Sequence, residues 1–138
     1  MSMDSFETAN RFIAAINVRD VEALATLMSP EHRFIDSLGN VVRGRDVMRQ
    51  GWAAYFDMVR DYRLTISGRF LTASQDGSEV VLTGSAQGSF WSEGSLRPNS
   101  AWSTPVALRA LVTDSLVAEW QVYADNEPIR EQMRAVSE

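Results

Sequence analysis

The sequence predicts an α+β fold: a cone-shaped, curved antiparallel sheet with helices packed on its concave face. Three observations carry this. Apolar residues recur at helical spacing through the first part of the chain, up to about Val59. From Tyr62 to Ala124 they fall instead into long alternating runs divided by short polar turns. And 138 residues of 45% hydrophobic composition fit one core, so residues 1–138 are expected to form a single domain. A curved sheet closed by an amphipathic helix encloses a cone, and the inside of a cone is a natural pocket.

Each element has its own signal. Asp4 with Glu7 three residues later reads as a capping box, and Phe6, Ala9, Phe12, Ile13 and Ile16 follow at helical spacing. Asp20 caps a second, shorter helix that Ser29-Pro30 should end, because a residue before proline is pushed out of the helical region. His32, Phe34 and Asp36 alternate with Arg33, Ile35 and Ser37, so this segment is a two-faced strand. Leu38-Gly39-Asn40 turns the chain into a short return strand, Val41 to Arg43. A third helix runs from about Arg45 to Val59 with a broad apolar face that includes Trp52, Tyr55 and Phe56. Four long strands follow, at Tyr62–Ala73, Glu79–Trp91, Trp102–Val112 and Leu116–Ala124. The segment SQDGSE is a turn and TDS a tight one, SEGSLRPNSA is a mobile polar rim, and Pro128 can open a last short helix.

Composition excludes whole classes of chemistry. With no cysteine there is no disulfide, thiolate metal site or cysteine nucleophile, which suits a reducing cytoplasm. The single histidine, His32, excludes a multi-histidine metal site within the chain. A net charge of −5, with no lysine at all, argues against nucleic acid and anionic membranes as partners. No apolar run approaches the roughly 20 residues of a membrane span, and the first residues lack the form of a secretion signal. GSAQGS is glycine-rich but lies within a strand, so it is no phosphate loop; its small residues let the sheet bend.

The chemistry then centres on Asp36, a carboxylate on the same strand face as Phe34 and His32. Deep in an apolar cone its pKa would rise and make it a usable base. Alternatively it accepts backbone N–H bonds from the Leu38-Gly39 turn. His32 could relay a proton, bind ligand, or sit at the strand entrance with one nitrogen in water. Trp52 and Tyr55 are neighbours on the third helix, either lining the pocket or packing helix onto sheet.

The order of elements, carried by RFIAAINVRDVEALATLMS, HRFIDSLGNVVRG and EWQVYADNEPI, resembles the nuclear transport factor two-like superfamily in its SnoaL-like branch, which includes polyketide cyclases, ketosteroid isomerases and limonene epoxide hydrolases. The resemblance implies a cofactor-free isomerase, cyclase or hydrolase acting on a small apolar substrate, or a non-catalytic ligand-binding or dimerisation module. It places Asp36, in FIDSLG, where ketosteroid isomerases hold their general base. It places Phe12 and Ala107 where those enzymes hold oxyanion donors, so both donors are missing, which argues against steroid isomerisation. Arg109, two residues beyond Ala107, would share its face, point into the cone as in the hydrolases and pair with Asp36. That pair would be catalytic or a structural ion pair. The same alignment turns Trp120 and Val122 into the cone, with Trp52 near the missing tyrosine's place. It turns Tyr123 and Asp125 outward, towards the second subunit of an expected homodimer. Trp91 and Trp102 would frame the mouth. No metal and no cofactor is implied.

Overall fold

The computed structural model describes residues 4–74, 77–92, 95–98 and 100–137. Its elements are α1 (Ser5–Asn17), α2 (Val21–Leu27), β1 (Met28–Ile35), β2 (Val41–Arg43), α3 (Arg45–Met58), β3 (Arg63–Ser74), β4 (Gly77–Gly88), β5 (Trp91–Ser92), β6 (Ser95–Leu96), β7 (Trp102–Thr113), β8 (Leu116–Ala124) and α4 (Glu127–Ser137). Both early helices start on carboxylate caps. The side chain of Asp4 accepts from the Glu7 N–H at 2.9 Å, and that of Asp20 from the Ala23 N–H at 3.1 Å.

Six strands form one curved, open sheet in the order β2-β1-β8-β7-β4-β3. This is not a pure antiparallel meander: β1 runs parallel to β8, the strand last made. Their register jumps from Met28↔Val117 to Arg33↔Glu119. Pro30 lies in that gap and has no N–H to give to the ladder. Helix α2 ends at Leu27 and the strand starts at once, so Pro30 sits within β1 and not at a helix end. The segment expected as a polar rim contains the small hairpin β5-β6, while its residues 93, 94 and 99 lie outside the described residues, as do residues 75 and 76 of the SQDGSE turn.

The core lies between the concave face and the helices. Phe12 and Ile16 of α1, Trp52 and Phe56 of α3, and Leu82, Leu108 and Trp120 of the sheet are all buried there. Alternation is clearest in the first part of β7. In β7, Trp102, Thr104, Val106, Leu108 and Ala110 are buried, and Ser103, Pro105, Ala107 and Arg109 face away. A cross-strand lattice covers the outer face: Arg109 bonds Glu79 at 2.6 Å and Glu119 at 2.5 Å, and Glu119 takes Arg33 at 3.1 Å.

Candidate active site: an aromatic cavity

The concave face, α3 and the start of α4 enclose a cavity of about 430 Å³. An unbroken belt of rings runs along one side, all of them in the lining. Phe34 meets Trp52 edge-on at 6.1 Å, Trp52 meets Tyr55 at 6.3 Å, Tyr55 meets Tyr62 at 5.1 Å, and Tyr62 meets Trp102 at 6.1 Å. The first three are edge-to-face and the last is tilted; such pairs are favourable beyond the area they bury. Helical spacing makes two of the five rings: Trp52 and Tyr55 are i and i+3 on α3, whose other buried residues, Met48 and Phe56, share that face. Trp120, Val122 and Ala124 of β8 and Val106 of β7 supply the opposite wall.

Polar groups in this lining divide by position. Away from the mouth they are neutral. Burial pushes the phenols of Tyr55 and Tyr62 far above their usual range, so both stay protonated and can donate. The indole N–H groups of Trp52 and Trp102 are buried and meet no acceptor. An orphaned buried donor costs roughly 1–3 kcal/mol. The Thr104 hydroxyl is already committed, donating to the Asp125 carbonyl at 2.7 Å. Asp36, Ser37 and Asn126 stand at the junction of the β1–β2 turn and α4, where the Asn126 amide donates to the Ser37 hydroxyl. Among the described residues, no cluster of histidine and carboxylate side chains is placed to hold a metal.

Asp36 lies in this lining, but the turn occupies it. One carboxylate oxygen accepts from the Leu38 and Asn40 N–H groups, each at 2.9 Å, and the other accepts from the Asn40 side chain at 3.1 Å. Gly39, at φ 87°, gives the turn the left-handed residue it needs. What burial there is pushes the carboxyl up, but the bonds from Asn40 and Leu38 outweigh it and hold the group below the usual carboxylate range. A raised pKa and a pairing with Arg109 were expected; the structure shows neither. Arg109 lies on the outer face, held by Glu79 and Glu119, and Ala107 faces outward with it. The alignment that turned both inward is one position out, and in a strand one position exchanges the faces.

His32 is also placed differently: its ring is fully buried, with the Phe12 ring 6.1 Å away and no nitrogen in water. Its Nδ1 donates to the Val117 carbonyl at 2.7 Å, which leaves Nε2 a bare lone pair without a partner. Burial lowers its pKa and outweighs the bond to Val117, which raises it, so the ring is neutral. Neither His32 nor Phe12 reaches the cavity; Phe12 stacks behind its wall, 4.6 Å from Trp120. Trp91 lies outside the lining, under the Arg60 guanidinium at 5.5 Å. Tyr62, Thr104, Val106, Asn126 and Ile129 line the cavity without having been singled out from the sequence. Counting the β7 alternation from Trp102 would have found Thr104 and Val106.

The chain belongs to the family of SnoaL-like domains, whose model matches residues 9–120. Among solved structures, it is similar to a hypothetical protein of ketosteroid isomerase-like fold from Catenulispora acidiphila, in complex with trimethylamine, at 20% identity over 91% of each chain with a TM-score of 0.75. It is similar to a provisionally described SnoaL-like polyketide cyclase from Shewanella denitrificans, at 15% identity over 94% of this chain and 96% of that one, TM-score 0.79. It is also similar to IdmH, a provisionally described polyketide cyclase from Streptomyces antibioticus, at 18% identity over 96% of this chain and 99% of that one, TM-score 0.76. No curated protein matches. These likenesses establish the fold: a nuclear transport factor two-like α+β cone, with a ketosteroid isomerase-like and cystatin-like sheet.

Proposed function

We propose that the protein binds a small, flat, mostly apolar organic molecule carrying a carbonyl or similar acceptor oxygen. One observation carries the reading: the belt from Phe34 to Trp102 lines an apolar cavity in which the phenols of Tyr55 and Tyr62, kept protonated by burial, are neutral donors. An acceptor oxygen is the partner that suits such donors. Neutral donors around a carbonyl also polarise it, which favours enolisation or ring closure in a substrate already prone to either.

The test is calorimetric titration with 1-naphthyl methyl ketone and related flat ketones. Saturable binding is expected, weakened roughly 2- to 10-fold in Tyr55→Phe, which keeps the ring and removes one donor. Lack of binding across such a panel overturns the reading.

A catalytic version makes Asp36 the general base of a cofactor-free isomerase, cyclase or hydrolase, and the position of Asp36 in the lining favours it. Its engaged, acidic carboxyl makes it a weak base. Asp36→Asn separates the two versions. Loss of turnover by about 10²–10⁴-fold at unchanged affinity fits a base; unchanged turnover and affinity fit a turn cap. A homodimer built on the outer sheet face, where Tyr123 is 51% exposed, accompanies this proposal, and sedimentation equilibrium tests it.

A further inference from the structure

The geometry points to Trp102 as the partition that sets how long a ligand the cavity accepts. This rests on the reading of the cavity as a ligand site and adds the residue that closes one end of it. A second hollow of about 420 Å³ lies where β4 ends and β7 begins, lined by Asp61, Gln87, Gly88, Ser89, Ala101, Trp102 and Ser103. Its character is opposite to that of the first, with a carboxylate, an amide and two hydroxyls. Trp102 alone is common to the two linings.

The indole is packed in place rather than bonded in place. Trp102 pairs across the sheet with Gly88, and a Cβ built on residue 88 would lie 3.2 Å from the indole Cζ2 and 2.4 Å from Val59 Cγ1. The missing side chain therefore leaves the space into which the ring fits. Tyr62 and Phe90 flank it at 6.1 and 6.4 Å. The residue is only 5% exposed, yet its N–H has no acceptor. No hydrogen bond is lost if the ring is shortened or turned, and the hollow beyond offers acceptors such as the Asp61 carboxylate. With the ring in place the ligand must fit the apolar cavity. With it shortened, an apolar head can stay in the aromatic belt while a chain with a hydrogen-bonding end reaches the polar hollow.

The experiment uses 1-naphthyl ketones whose chains, from two to about ten carbons, end in a hydroxyl. Their affinities are measured by calorimetry for the wild type, Trp102→Ala and Trp102→Leu, with near-ultraviolet circular dichroism to verify folding. In the wild type, affinity should rise by up to about fourfold per methylene and then fall at least tenfold once the chain outgrows the cavity. In Trp102→Ala the fall should come about three or more carbons later, and in Trp102→Leu at an intermediate length. If Trp102→Ala does not fold, Trp102→Leu alone must show the shift. Binding with the same cut-off in wild type and folded variants overturns the partition and leaves the cavity reading intact. Binding by none of the proteins overturns both.

Discussion

The two faces of strands β7 and β8 put one backbone under opposite demands. On the outer face every charge of the Glu79–Arg109–Glu119–Arg33 lattice has a partner. Glu119 shows the balance: partial burial pushes its carboxyl up, and the bonds from Arg109 and Arg33 bring it below the ordinary range. On the inner face of the same strands the side chains are mostly apolar, and the Trp102 indole N–H goes without an acceptor. A saturated surface gains little from an added molecule. An apolar one gains free energy from whatever apolar surface is buried against it. The difference makes the concave side, on the proposed reading, the face suited to a small apolar ligand.

Substitutions can break the comparison, and they do so in order of size. Trp120→Ala, at the buried centre of the inner face and packed on Phe12, should cost about 3–5 kcal/mol in urea unfolding and should abolish ligand binding. Arg109→Met on the outer face should cost less. Its side chain is 22% exposed and Glu119 keeps Arg33, so about 1–2 kcal/mol is expected, with ligand affinity unchanged. If Arg109→Met weakened binding as much as stability, the two faces would not be independent.

Third is the pH dependence. His32 has a folded-state pKa below its ordinary 6.5, so below pH 6.5 the unfolded chain binds more protons and stability falls. Its contribution is complete above that value and is lost as pH drops, by at most about 1.4 kcal/mol per pH unit. The lowered carboxyls of Asp36 and Glu119 act in the same direction but only below their ordinary values of 3.8 and 4.5. Unfolding between about pH 6.5 and 5 therefore isolates the histidine, and His32→Asn should flatten that slope. A slope that survives the substitution would show that another group carries it. Smallest of all, Asp36→Asn should change stability by no more than about 0.5 kcal/mol, because the turn keeps its backbone bonds and the site is open to water.

Most of the architecture was legible because it is local. Caps at Asp4 and Asp20, the apolar face of α3 and the period of the long strands each need only a window of a few residues. The turn reading of Asp36 was available from DSLGN in the same way. What could not be read is what depends on distant partners. The side chain of Arg109 faces outward because the alternation in β7 starts from Trp102, and an alignment to another protein's strand carries no such origin. His32 is dry because Phe12 covers it, and the carbonyl it bonds lies 85 residues further on. The belt of rings draws on β1, α3, the residue before β3 and β7, and no local pattern announces that these will meet.

The parallel seam between β1 and β8 also orders events during synthesis. A chain made from its N-terminus has completed α1, α2, α3 and the strands β1 to β7 before Val117, the residue that receives both Met28 and the His32 ring, has emerged. Until then the β1–β2 ribbon has no neighbour on one side, and Trp120 is not there to close the wall over Phe12. Loop closure on that scale is slow compared with hairpin formation. The cavity should therefore be among the last parts of this domain to assemble, appearing only once β8 has been made.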